Sequence, residues 1–153
     1  MEKNSEILDV KYRVSVVKHD IIDQEYALYL IKIWVEPTNI VFHIQDRYSG
    51  IRTWQDSVKN ELESQEAVPN YPGKKWFGNL DPQFLRQRGL SIEMFLTTFL
   101  GHPLVKKSKL VPVYFSKLAA SEEDRLAVQE LALYLENKKN RSQVPNRTKP
   151  IED

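Results

Sequence analysis

Val68-Pro69-Asn70-Tyr71-Pro72-Gly73-Lys74 is the stretch that decides the fold. Two prolines fix their own backbone angles and hold the segment extended, so that Lys74 is delivered to a set place with little ordering entropy left to lose. Taken alone, the segment reads equally as a rigid linker, and its Pro-x-x-Pro spacing also meets the minimal pattern of an SH3 ligand. It lies inside a longer stretch, residues 64–78, that has no periodicity and carries Pro69, Pro72, Gly73 and Gly78. Connections of this length are uncommon without a functional reason.

Working outward, each side of the segment reads as a helix. Before it, Ile51, Trp54, Val58 and Leu62 recur at helical spacing after Gly50. Beyond it, Asp81-Pro82 supplies an N-cap with proline at the first helical position, and Phe84, Ile92, Phe95, Leu96 and Phe99 form a stripe that ends at Gly101. This second helix is expected to be the best buried. Further out towards the N-terminus the period falls to two. Over residues 9–18, Val10, Tyr12, Val14 and Val16 alternate with Lys11, Arg13 and Ser15, which is a half-buried strand. Residues 25–35 are aromatic or branched on both parities, as in a central strand, and Pro37-Thr38-Asn39 marks a turn. In the third strand, residues 40–47, Ile40, Phe42 and Ile44 take one parity and His43, Gln45 and Arg47 the other. Towards the C-terminus, residues 110–115 predict one more turn of structure, and Ser121-Glu122-Glu123-Asp124 is a capping box opening a helix to about Lys139. The polar, proline-bearing residues 140–153 read as a disordered tail. The expected class is α+β, a three-stranded antiparallel sheet packed on a helical subdomain of three to four helices.

Composition bounds the function. The 153 residues suit one domain with a tail, and 41% hydrophobic with 28% charged residues is ordinary for a globular chain. No apolar run approaches the roughly 20 residues of a membrane span, and Met1-Glu2-Lys3-Asn4-Ser5 lacks the design of a signal peptide, so a cytoplasmic address is expected. There is no cysteine for a disulfide, a thiolate nucleophile or a thiolate metal site. The net charge of +1 conceals a dipole: Lys74, Lys75, Arg86 and Arg88 face only Asp81 over residues 71–89, while Glu122, Glu123, Asp124, Glu130 and Glu136 make the last helix acidic. His19, His43 and His102 stand far apart, and the five glycines form no phosphate loop. The chain is therefore expected not to be an enzyme, to hold no metal or cofactor, and not to bind nucleic acid.

Two further features carry chemistry. Arg47-Tyr48 closes the third strand; read blandly, it is a surface arginine and a tyrosine capping the sheet. Arg88 lies four residues after Phe84 and four before Ile92, so its guanidinium sits on or beside the apolar stripe. A charge there needs a partner, either an internal carboxylate or an external phosphate.

Together these residues resemble the PX (phox homology) family over residues 8–118. The likeness rests on Arg47-Tyr48-Ser49, on a complete apolar-Pro-x-x-Pro-x-Lys match at 68–74, and on Lys74-Lys75-Trp76-Phe77-Gly78-Asn79 leading into Phe84-Leu85-Arg86-Gln87-Arg88-Gly89-Leu90 and Phe95-Leu96. The resemblance implies an extension at 1–7, a PX domain at 8–118, a C-terminal helix at 119–139 and the tail at 140–153. It implies a sorting-nexin-like trafficking module, peripheral on endosomal membranes, whose partner is a phosphoinositide, above all phosphatidylinositol 3-phosphate. Arg47 would then grip the 3-phosphate, Tyr48 pack on the inositol ring, Lys74 meet the 1-phosphate, and Arg88 fork onto the 4- and 5-hydroxyls. Trp76 and Phe77 are the candidates to enter the lipid, the alternative being that one or both, Phe77 first, close the domain's own core, with Lys75, Arg86 and the run Lys106-Lys107-Ser108-Lys109 attracting anionic membrane. Two departures weaken the match: Asp46 stands where many members carry a second basic residue, and Gly50-Ile51 replaces an acidic residue and phenylalanine. The alternative is a PX fold that binds protein, through the proline-rich loop or the last helix, with weak or no lipid binding.

Overall fold

A computed structural model describes residues 10–62, 68–73 and 80–143, with backbone alone at 139–143. The three strands are β1 (Lys11–Ile22), β2 (Tyr26–Glu36) and β3 (Ile40–Arg47), antiparallel in the order β1-β2-β3. The stretch read as two-sided is thus the central strand. Its inward parity, Ala27, Tyr29, Ile31, Ile33 and Val35, is fully buried, and its other parity is half-buried. β1 runs beyond Lys18 because Ile22 still pairs with Tyr26, across a turn in which Asp23 and Gln24 both adopt left-handed backbone, the twist that suits a hairpin. Val17 is the extra residue of a bulge, and beside it the Val16 N–H donates to Glu93 at 2.9 Å. The second turn is closed by Thr38, whose hydroxyl donates to the Val35 carbonyl and accepts from the Ile40 N–H.

The helices are α1 (Tyr48–Asn60), α2 (Pro82–Gly101), α3 (Pro103–Lys107), α4 (Leu110–Leu118) and α5 (Glu122–Gln143). Ile51, Trp54 and Val58 of α1 are buried as their spacing predicts, and Leu62 packs partly against the core. In α2 the Asp81 side chain accepts from the Phe84 N–H and the helix ends at Gly101, both as expected. Its stripe is rotated by one residue at the start: Leu85 is deeply buried, whereas Phe84 is only partly so and turns towards Arg88. The short segment after Lys109 is a full helix, and α3 precedes it, started by the His102 ring accepting the Leu104 N–H. Ser121 caps α5 as expected, its hydroxyl accepting from the Asp124 N–H, but the Asp124 carboxylate accepts from that hydroxyl and from the His43 N–H instead of closing a full capping box; α5 continues past Asn140 to Gln143. No described helix is long and apolar enough to cross a membrane.

One core joins the layers. Trp54 meets both Phe99 and Phe115 edge to face, and Phe42 of the sheet packs on Phe115. α2 lies close on β1 and β2 at Gly89, where an added Cβ would stand 3.3 Å from Val16 Cγ1 and 3.5 Å from the Tyr29 ring. This close approach, together with a hydrogen bond from the Tyr29 hydroxyl to the Leu85 carbonyl at 3.3 Å, sets the height of the neighbouring Arg88 over the sheet end.

Candidate functional site

The site forms where β3 runs into α1, opposite the proline-rich segment and the first turns of α2. Arg47 is the last strand residue and the N-cap of α1; its backbone is extended and its N–H donates to Asp46 Oδ1 at 2.7 Å. Tyr48 begins the helix with its ring buried. Its hydroxyl meets the carbonyls of Pro72 and, at 2.7 Å, Gly73. In return the Tyr71 hydroxyl donates to the Tyr48 carbonyl at 2.8 Å, and the two rings lie 4.8 Å apart. Tyr71 is fixed from behind by an edge-to-face contact with Phe95 at 5.0 Å. The proline-rich segment is therefore stapled across the start of α1 by two tyrosines, with Val68 and Tyr71 buried, and it is not a free SH3-type ligand.

Around this pair of rings stand guanidinium groups. Arg88 lies over Tyr48 at 3.7 Å from the ring centroid and over Phe84 at 4.7 Å. Arg52 lies 5.8 Å from the Tyr48 centroid and 5.3 Å from that of Tyr71, with Nη2 donating to the Pro72 carbonyl at 3.3 Å. Arg47 is laid over the Tyr26 ring at 4.0 Å. Among the described residues none of the three arginines forms an ion pair with a carboxylate. The internal salt bridge open to Arg88 from sequence is replaced by stacking on aromatic rings. The charged carbons of Arg52 and Arg88 both stand close to the Tyr48 ring, within about 10 Å of each other, so the two like charges repel. An anion bound within reach of both offsets that repulsion.

One carboxylate adjoins the group. Asp46 shares the inward parity of Phe42 and Ile44, and burial pushes its carboxyl up from the ordinary value, against the opposing pull of the Arg47 N–H and guanidinium. Its side chain occupies the space over Gly50: a Cβ built on Gly50 would stand 2.2 Å from Asp46 Oδ1. The two departures noted in sequence are thus a single packing unit. Burial also raises the Tyr71 hydroxyl far above its usual range, while Tyr29 is pushed up to about 12, with Arg88 acting in the opposite direction on both.

Of the residues marked from sequence, Tyr48 and Arg88 are in contact, Arg47 stands next to them against Tyr26, and Arg86 is exposed on the outer side of α2. Lys74, Lys75, Trp76 and Phe77 lie outside the described residues. Sequence reasoning missed Arg52, Tyr71 and Tyr26. The signal for Arg52 was present, since it follows Tyr48 by four residues and so shares its helix face. Tyr26 is paired to the site only through strand register.

Known proteins resemble this chain in sequence and in fold. The family model described as PX domain matches residues 35–118, more than half of the chain. The chain belongs to the PX domain family. This PX domain is 29% identical over 91 residues to sorting nexin-13 of Homo sapiens and 28% identical over 85 residues to that of Mus musculus, covering 58% and 54% of the chain. It spans only 9% of the length of either relative. Among solved structures it is similar to a designed CISK-PX domain, with 25% identity and a TM-score of 0.51 over 66% of this chain and 95% of that one. The α+β architecture expected from sequence is that of this neighbour. PX domains as a family are phosphoinositide-binding modules of membrane trafficking rather than enzymes.

Proposed function

We propose that this PX domain recruits the protein that carries it to endosomal membranes by binding phosphatidylinositol 3-phosphate. The observation that supports the reading is the gathering of arginines around the Tyr48 ring with no ion pair to a carboxylate among the described residues. In this proposal Arg47 leaves Tyr26 to grip the 3-phosphate, and Arg88 turns from the Tyr48 ring to the 4- and 5-hydroxyls. Tyr48 offers its ring to the inositol, since its hydroxyl is already committed to the loop carbonyls. Lys74 takes the 1-phosphate. Trp76 and Phe77 enter the lipid, each side chain adding roughly 1.5–3 kcal/mol, and Lys75 and Arg86 attract the anionic surface. Charge-assisted hydrogen bonds worth about 1.5–3 kcal/mol each from a few cations account for recognition near the micromolar range after the cost of association.

The test is co-sedimentation with liposomes carrying each phosphoinositide in turn at near-physiological salt, beside Arg47→Ala and Arg88→Ala. Selective pelleting with phosphatidylinositol 3-phosphate, lost in both variants at an unchanged melting temperature, is expected. Binding to no lipid, or equal binding to every anionic lipid, sinks the proposal. In that event the protein-binding alternative gains, and one feature favours it: Leu126 and Leu133, two helical turns apart on α5, are 52% and 64% exposed.

A further inference from the structure

We infer that Arg52, a residue outside the motif positions, is a head-group-binding residue that takes a phosphate oxygen on the Pro72 side of the Tyr48 ring; the inference rests on the phosphoinositide reading above. Four residues after Tyr48, it rises from the same face of α1. Its guanidinium flanks the two stapled tyrosines while Arg88 covers the Tyr48 ring.

Its hydrogen bonding is incomplete. Of its five donors, Nη2 reaches the Pro72 carbonyl, whereas Nε is buried and has no partner among the described residues. Nor does Arg52 form an ion pair there: the carboxylate of Asp56, one turn further along α1, is instead accepting from Gln55 Nε2 at 2.7 Å. A partly buried guanidinium with an unused donor and no counter-charge is expensive to keep. Its planar fork matches two oxygens of one phosphate, which satisfy Nε and an Nη together once the guanidinium turns its buried Nε outward. The placement also answers the missing strand-end cation. Where many PX domains carry a second basic residue this chain has Asp46, and α1 supplies a positive charge from the adjoining face instead.

A purely structural role, with Arg52 holding the Pro72 loop, makes different predictions. Titration calorimetry of the full chain with myo-inositol 1,3-bisphosphate and with short-chain phosphatidylinositol 3-phosphate separates them. Arg52→Gln, which removes the charge, should weaken both ligands roughly ten- to hundred-fold, and Arg52→Lys, which restores a charge without the fork that meets the Pro72 carbonyl, should recover part of the loss. In the unaltered protein the Nε–Hε resonance of Arg52 should shift on saturation with myo-inositol 1,3-bisphosphate; this arm decides the matter should Arg52→Gln fail to fold. If that resonance stays still while those of Arg47 and Arg88 move, or if Arg52→Gln binds like the parent while Arg47→Ala does not, Arg52 only holds the loop and the proposed function stands. If the unaltered protein binds neither ligand, both readings fall together.

Discussion

Replacing Gly50 by alanine should destabilise this protein, although alanine is the better helix former. Gly50 is the third residue of α1, where alanine by propensity alone gains up to about 0.5–1 kcal/mol. The new methyl, however, would stand 2.2 and 2.4 Å from the two Asp46 carboxylate oxygens. The carboxylate must swing away, giving up the 2.7 Å bond from the Arg47 N–H. Such a bond to a charged acceptor is worth about 1.5–3 kcal/mol, and a displaced rotamer adds about 0.5–1.5. The net expectation is a loss of about 1–4 kcal/mol. In an Asp46→Ala background nothing remains to be struck, so Gly50→Ala should there be neutral or stabilising. Chemical denaturation of the four proteins of this cycle gives the coupling directly, expected at about 2–4.5 kcal/mol. If Gly50→Ala costs the same in both backgrounds, the clash is not with Asp46 and the reasoning fails.

Three further outcomes follow from the same residues. Because burial raises the Asp46 carboxyl above its unfolded value of 3.8, the folded protein holds the proton more tightly, and stability falls as pH rises through the raised value; thermal unfolding should show Asp46→Asn more stable than the parent at pH 7, with the gap closing below the unfolded value. Asp46→Arg should tighten sedimentation with phosphatidylinositol 3-phosphate liposomes, and no change or a loss would mean that Asp46 does not oppose the phosphate. Asp124 has the opposite sign: burial raises its carboxyl, but hydrogen bonds from the Ser121 hydroxyl and from the His43 N–H and ring outweigh this and leave it lowered. It therefore stabilises the fold above its unfolded value of 3.8 and loses that contribution as pH falls further; Asp124→Ala should cost about 1–3 kcal/mol at neutral pH and flatten the acid limb of the stability curve measured by denaturant unfolding.

The sequence by itself determined the order and kind of the main elements. Hydrophobic period, capping residues and prolines are local signals, and β3, the helical run after Gly50, the Asp81 cap and the Ser121 cap all follow from side chains within a few residues of one another. The same local reading, joined to the spaced motifs, singled out Arg47, Tyr48 and Arg88 and marked Asp46 and Gly50 as unusual. It could not join them. That Tyr71 is a structural clasp, that Arg88 rests on an aromatic ring instead of a carboxylate, and that Arg52 reaches the Pro72 carbonyl with its Nε unpartnered among the described residues are facts of contact between segments 20 or more residues apart, while Asp46 and Gly50, only four residues apart, fit together because of the way β3 turns into α1. Pattern fixes which face of an element turns inward. Only the packing of α1, α2 and the proline-rich segment around Tyr48 decided which side chains meet there, because the partners of a buried charge are chosen by distance in space and not along the chain.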